Sequence, residues 1–169
     1  MRIFGLIGKK LGHSFSPDYF NTKFKNEGIN DAYYKTFELS EISEFPALLR
    51  SHHDICGLNV TMPYKESLIP YLDILDSTAL AVGAVNCIKF LKNGKLEGFN
   101  TDVIGFEKSL LKFIKGRNDI KKALVLGSGG AAKAVSYVLE NSGIEFKIVI
   151  RSPSVNNILY KSIDAQLIK

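Results

Sequence analysis

Two rhythms of apolar and polar positions run along the chain, and the changes between them mark out its elements. Residues 2–8 form a near-continuous apolar run, the pattern of a strand buried on both faces. Ser16-Pro17 follows, with serine placed as an N-cap and proline at the first helical position, and predicts a helix that Gly28 closes. Its Tyr19, Phe20 and Phe24 read as the stripe of one buried face. Residues 32–39 are a second strand, and Ser40 caps a helix running to about Arg50. Residues 55–61 are a third strand, followed at once by Met62-Pro63, and a short helix lies near residues 76–82. Two further strand-like stretches, 84–92 and 95–100, flank Asn93-Gly94, a strong hairpin signal.

Asp102 then stands as the cap of a helix in which Val103, Phe106, Leu110, Phe113 and Ile114 recur at helical spacing. Past a polar turn at 116–119 come a strand at 122–126, a helix at 130–141 closed by Gly143, and a strand at 145–150, one βαβ unit. This order predicts an α/β fold. A mixed-sheet α/β domain occupies residues 1–101, a connecting helix and linker 102–120, and the start of a second α/β domain 121–169.

Composition changes this picture little. The 169 residues are 46% hydrophobic and 23% charged, ordinary for a globular chain. Apolar runs such as 123–126 are far too short to cross a bilayer, and the N-terminus lacks the apolar core and cleavage site of a signal peptide, so a cytoplasmic protein with no membrane partner is expected. Cys56 and Cys87 sit in apolar strand-like stretches without a CxxC or a histidine at ligand spacing. They read as buried thiols, with neither disulfide nor metal site expected. A net charge of +5 and a pI near 9.1 suit an anionic small substrate or a phosphorylated cofactor. The lysines are scattered and no basic, aromatic-interleaved stripe occurs, so no nucleic-acid partner is expected. There is no internal repeat or low-complexity tract.

The first chemistry-bearing motif is the turn of the βαβ unit. A strand runs into Gly127-Ser128-Gly129-Gly130-Ala131-Ala132 and then a helix, fitting the dinucleotide pattern G-x-G-x-x-A. Gly127 allows the tight turn, Gly129 lets backbone amides approach a pyrophosphate, and Ala132 lets the helix pack closely on the strand. The helix N-terminus adds a positive dipole for the phosphates. At the end of the next strand an NAD-binding chain places Asp or Glu for the ribose 2′-hydroxyl. Here Arg151 stands there, followed by Ser152, a guanidinium suited to a 2′-phosphate, so NADP is favoured as cofactor.

Three segments of the front domain carry polar residues in apolar surroundings: residues 12–17, residues 59–65, and residues 84–86 together with 98–102. Ligands of open α/β sheets bind beyond the carboxyl ends of strands, where these segments are expected to converge. By residue type alone, Asp102 and Ser16 also read as helix caps, Lys65 as a solvated lysine and Tyr64 as packing. His13 reads as a polar loop residue and His52 and His53 as solvated.

Taken in series, S-x-S-P at 14–17, N-V-T-x-P-x-K at 59–65, G-A-V-N at 83–86 and N-T-D-x-x-G-F at 100–106, followed by the glycine loop, closely resemble the shikimate dehydrogenase family over nearly the whole chain. The resemblance implies a shikimate-binding catalytic domain followed by the first βαβ unit of a Rossmann NADP-binding domain. It implies reversible reduction of 3-dehydroshikimate to shikimate with NADPH, a step of aromatic amino-acid and chorismate biosynthesis. It further implies that Ser14 and Ser16 bind the substrate carboxylate and that Thr61, Lys65, Asn86 and Asp102 contact the ring hydroxyls. Gly127, Ser128, Gly129, Gly130, Ala131, Arg151 and Ser152 would hold the cofactor. The residue types agree with that chemistry: a lysine beside a carboxylate can hold and relay the hydroxyl proton. Lys65 is assigned as general acid/base with Asp102 as its partner; which of the two transfers the proton stays open.

Two departures stand out. NADP-using members read roughly N-R-T where this chain has Ile150-Arg151-Ser152. A doubly wound cofactor domain carries about six strands, whereas two are evident here, so the second domain is expected to be truncated, with exposed sheet edges and weak cofactor binding. Three alternatives remain: a quinate/shikimate dehydrogenase using NAD or NADP, a non-catalytic ligand-binding module on the same scaffold, and a generic Rossmann reductase of unrelated substrate, which the Ser14/Ser16 and Asn86 elements disfavour. Arg151 argues against the NAD choice, and the Lys65/Asp102 pair against the module. Monomer and homodimer are both compatible with the sequence.

Overall fold

The computed structural model describes residues 1–117, 119–151 and 157–163. The chain divides into two compact units, Met1–Asn100 and Thr101–Lys169.

The first unit is built on strands β1 (Arg2–Gly8), β2 (Ala32–Glu38), β3 (Ile55–Val60), β4 (Ile74–Leu75), β5 (Cys87–Phe90) and β6 (Leu96–Phe99). Its helices are α1 (Ser16–Asn26), α2 (Phe45–Ser51), α3 (Tyr64–Ser67) and α4 (Ser77–Val82). The strands form one six-stranded mixed sheet in the order β2-β1-β3-β5-β6-β4. β1 pairs in parallel with both β2 and β3, while β5 runs antiparallel to β3 and to β6.

The period-two alternation of β1 supplies both faces of the sheet. Ile3 and Ile7 enter the larger core with Phe37, Phe45, Leu58, Val60, Leu68, Val85 and Ile88. Phe4 and Leu6 point to the other face and pack with Leu11, Tyr34, Phe20 and Phe24. Gly5 lies under the Phe37 ring. A Cβ there would stand 2.5 Å from Phe37 Cε2 and 2.7 Å from the Lys35 carbonyl.

Several sequence expectations need correction. Ser16 is the first residue of α1 rather than its cap; Phe15 holds the cap position, and Ser14 Oγ accepts the Ser16 N–H at 3.3 Å. Phe20 and Phe24, four apart, share the buried face, while Tyr19, one residue round the helix, is 49% exposed. The helix expected from Ser40 splits into a 3-10 turn at Ile42–Glu44 and α2. Pro46 has no N–H to offer the Ile42 carbonyl, so the α-helix restarts at Phe45. Cys56 is exposed and Cys87 half-buried, not a buried pair. A register shift between Ile3 and Phe4 leaves Cys56 as the extra residue of a bulge, which is why Ile55 and then Leu58 face the core. The hairpin at Asn93-Gly94 is present, with the Leu91 N–H donating to the Lys95 carbonyl and Gly94 at φ 80°.

The second unit contains α5 (Thr101–Ile114), β7 (Lys122–Leu126), α6 (Gly130–Asn141), β8 (Glu145–Ile150) and β9 (Ile158–Leu159). β9 was not foreseen. It pairs in parallel with β8, so the described residues hold a three-stranded sheet ordered β7-β8-β9. Its core is Val125, Leu139 and Ile144, against which Phe106, Leu110 and Ile114 of α5 pack. Phe113 is 63% exposed, its ring covered by the Arg117 guanidinium at 4.9 Å. Asp102 is the second residue of α5 and lies in its first turn rather than capping it.

Tyr34 is 3% exposed, and burial pushes its phenol up to about 12. An unfolded tyrosine ionises near 10, so below that pH the contribution of Tyr34 to stability does not vary with pH. Stability then falls as pH rises from 10 toward 12, where the unfolded chain alone gives up the proton. Urea midpoints measured across this range should fall less for Tyr34→Phe than for the wild type. Gly5→Ala should cost about 1–3 kcal/mol in the same assay, because backbone as well as ring would have to shift. Gly12→Ala, with open space around it, should stay within about 0.5 kcal/mol.

Candidate active site at the carboxyl end of the sheet

Parallel pairing brings the carboxyl ends of β1, β2 and β3 to one end of the sheet. Gly8 stands opposite Glu38, and Ile7 opposite Val60. The ladder continues one step beyond: the Thr61 N–H donates to the Ile7 carbonyl at 2.9 Å and the Leu39 N–H to the Gly8 carbonyl at 3.0 Å. β5 runs the other way, so its beginning reaches the same end, where the Val60 N–H donates to the Asn86 carbonyl at 2.9 Å. β6 finishes beside it, its Phe99 carbonyl accepting the Asn86 N–H at 3.0 Å. Ser14, Ser16, Thr61, Lys65 and Asn86 therefore leave the sheet at one end, on connections from three different strands.

Each is held by local contacts. The loop after β1 is pinned by Glu38, whose Oε1 accepts the Leu11 N–H at 2.6 Å, and the Leu11 carbonyl accepts the Ser14 N–H at 2.8 Å. Thr61 packs its methyl so tightly on Gly8 that a Cβ there would stand 2.7 Å away. Lys65 follows Tyr64, which is 4% exposed and donates its hydroxyl to the Leu39 carbonyl at 2.6 Å. Burial, then Glu44 and Glu41, hold that phenol protonated. The Lys65 carbonyl accepts the Val85 N–H at 2.7 Å, joining α3 to the segment that carries Asn86. Lys65 and Asn86 make further interactions of their own.

Two polar residues escaped the sequence reading as individuals. Asn100 is 2% exposed and donates Nδ2 to the Ala84 carbonyl at 2.9 Å, bracing the Asn86 segment. Asn59 accepts the Tyr34 hydroxyl at 2.8 Å through Oδ1. A signal was present, since both open motifs already singled out, but their partners lie in distant strands. Tyr64 packs as expected. His13 and His53 are exposed, whereas His52 lies against the Phe37 ring at 5.3 Å.

In the second unit, the Gly127 N–H donates to the Val149 carbonyl at 2.8 Å before the chain turns with Gly127 at φ 112°, a conformation that favours glycine. Gly129 precedes α6 with an extended backbone, and a Cβ on it would meet nothing within 4 Å. No described protein atom thus requires glycine at 129. Ser128 and Ala131 are exposed and Gly130 is half-buried. Arg151 is exposed just past β8, at the same end of this unit's sheet as the loop. Ser152 lies outside the described residues. Among the described residues no group of three or more His, Cys, Asp or Glu is placed to hold a metal. No described helix is long and apolar enough to cross a membrane.

Residues 6–88 match the family model of the shikimate dehydrogenase substrate binding domain. A shikimate dehydrogenase (NADP(+)) of Pyrococcus abyssi is 43% identical over 156 residues, 91% of this chain and 56% of that protein. Shikimate dehydrogenase 1 from Peptoclostridium difficile superposes with a TM-score of 0.80 at 38% identity, covering 94% of this chain and 60% of that one. The Thermus thermophilus shikimate 5-dehydrogenase, solved with NADP(H) and shikimate, gives 0.74 at 33% identity over 90% and 57%. The chain spans a little over half the length of these relatives. With the substrate-binding domain at residues 6–88 and this likeness along nearly its whole length, the chain belongs to the shikimate dehydrogenase family.

Proposed function

We propose that this chain belongs to an oxidoreductase that interconverts 3-dehydroshikimate and shikimate with NADP(H), in the route to chorismate and the aromatic amino acids. The observation that carries the reading is the common origin of the Ser14/Ser16, Thr61/Lys65 and Asn86 connections at one end of a single sheet. It is supported by the 43% identity to a protein named for that activity. In this reading residues 1–101 bind substrate, 102–120 connect, and 121–169 open a Rossmann cofactor domain. The protein works in the cytoplasm as a monomer or homodimer.

Oxidising the secondary alcohol removes a hydride from carbon and a proton from oxygen. NADP, held at the glycine loop, would supply the hydride acceptor. The Ser14 and Ser16 hydroxyls donate to the substrate carboxylate, and Thr61 and Asn86 hold ring hydroxyls. Lys65 Nζ takes the hydroxyl proton and returns it in the reverse direction, with the Asp102 carboxylate as its partner in orienting the group. The backbone of Gly127, Ser128, Gly129, Gly130 and Ala131 would hold the pyrophosphate, and Arg151 with Ser152 would hold the 2′-phosphate.

The full-length protein should raise absorbance at 340 nm with shikimate and NADP, and much more slowly with quinate or with NAD. No signal with shikimate and NADP defeats the reading. Lys65→Ala should lower kcat by about 100-fold or more, the usual worth of a general acid/base, while changing KM little; a variant within about twofold of wild type would remove Lys65 from the proton transfer. Arg151→Ala should raise KM for NADP about tenfold, the scale of a charge-assisted hydrogen bond, and leave that for NAD nearly unchanged. Equal effects on both cofactors would reduce Arg151 to a surface charge.

A further inference from the structure

We propose that the outer edge of β2 is a latent strand-pairing surface for a second copy of this chain, and that Asn21 of α1 is the side chain that keeps it closed. The inference concerns assembly and stands whether or not the functional reading above holds.

Strand β2 ends the six-stranded sheet on its side, and among the described residues no strand lies beyond it. Its sequence, Ala-Tyr-Tyr-Lys-Thr-Phe-Glu, has no proline or glycine and is dominated by aromatic and β-branched residues. Such a run on an open edge is a template for pairing with another chain, and the usual guards are proline, a bulge or a row of charges. The pairing of β2 with β1 runs from Ala32 to Glu38 without a shift, so no bulge interrupts it. The one lysine of the strand is drawn over the Phe37 ring, its Nζ 4.8 Å from the centroid.

Backbone direction alternates along the strand. The Asp31 carbonyl accepts the Arg2 N–H and the Leu39 N–H donates to the Gly8 carbonyl, so Asp31, Tyr33, Lys35, Phe37 and Leu39 face β1. Ala32, Tyr34, Thr36 and Glu38 therefore turn their N–H and C=O groups outward. Asn21 meets both groups of Tyr34: Nδ2 donates to the carbonyl and Oδ1 accepts the N–H, each at 2.8 Å. That is the paired exchange that one residue of an antiparallel neighbour would make. The amide thus stands in for a missing strand over a single residue. A helix delivers it, since Phe20, the preceding residue of α1, stacks on the Tyr34 ring with centroids 4.6 Å apart and planes 17° from parallel.

Two copies related by a two-fold axis would run their β2 strands antiparallel. The two Tyr34 residues would then lie opposite one another, with Ala32 of each opposite Thr36 of the other. The Tyr34 pair is the centre of that ladder, and Asn21 occupies it. With Asn21 in place Ala32 is isolated, four residues or about 13 Å from Thr36 along the strand. A pairing confined to Thr36 and Glu38 would join only the last two outward residues and bring two Glu38 carboxylates together, which is unfavourable. Removing the Asn21 amide makes the edge continuous.

The test uses the full-length protein and light scattering after gel filtration, over about a hundredfold range of concentration. Asn21→Ala should raise the mass toward about twice the wild-type value as concentration rises, and the wild type should show no such rise. Asn21→Ala combined with Thr36→Pro should return to the wild-type mass, because proline removes an outward N–H that the ladder to β1 does not use. A destabilised chain that merely aggregates would not be rescued in this way. Hydrogen exchange supplies a second readout: the Ala32, Tyr34 and Thr36 amides of Asn21→Ala should exchange about tenfold more slowly in the associated sample than in the dilute one. A wild-type mass for Asn21→Ala at every concentration overturns the proposal, and so does association that survives Thr36→Pro. If Asn21→Ala does not fold, Asn21→Leu, of similar size and without hydrogen-bonding groups, is read by the same two outcomes.

Discussion

The parallel pairing of β1 with β2 on one side and β3 on the other is the constraint on which the candidate site depends. Parallel strands must leave the sheet at the same end, so the connections that follow β1 and β3 are forced to begin side by side. The Thr61–Ile7 and Leu39–Gly8 hydrogen bonds extend the ladder one residue past the strands and hold those starting points rigid. Had β3 run antiparallel to β1, the Ser-x-Ser-Pro and Asn-Val-Thr segments would lie at opposite ends, and no choice of side chains would bring them together. The antiparallel β5 completes the set from the other direction, delivering Asn86 as it enters the sheet rather than as it leaves.

Packing beneath this end explains how polar residues are held in place there. Tyr64 and Leu68, both buried, clamp the short helix carrying Lys65 to the core, and the Tyr64 hydroxyl reaches the Leu39 carbonyl at the end of β2. Several polar groups on this edge are tied to named partners: Asn100 to the Ala84 carbonyl, Tyr34 to the Asn59 amide, and Asn21 to the open edge of β2. A buried donor or acceptor without a partner costs about 1–3 kcal/mol, so such ties both stabilise the edge and fix the direction in which remaining donors face.

The second unit obeys the same rule on a smaller scale. β7 and β8 are parallel, so the glycine turn after one and Arg151 after the other lie at the same end of their sheet. Gly127 needs its residue type for its own backbone conformation, whereas Gly129 has open space around it and no internal reason to be glycine. That contrast confines the folding requirement within this motif to Gly127.

Much of this was readable without coordinates. The alternation in β1, the Asn-Gly hairpin, the βαβ order and the motif series depend on residues close together in sequence, where propensity and periodicity act directly. What failed were features set by distant partners. The bulge that exposes Cys56 arises from its register with Ile3 and Phe4, and β9 is too short to carry a pattern of its own. Asp102 and Ser16, expected as caps, sit inside the first turns they were thought to precede, because neighbouring residues take the boundary. The tie from Tyr34 to Asn59 passes across an intervening strand, and no spacing along the chain encodes it. The sequence by itself determined which elements form and which chemical groups the chain carries, because those depend on neighbours a few residues away. Only the tertiary structure decided which groups meet, because strand direction and register are settled by contacts between segments far apart in the chain.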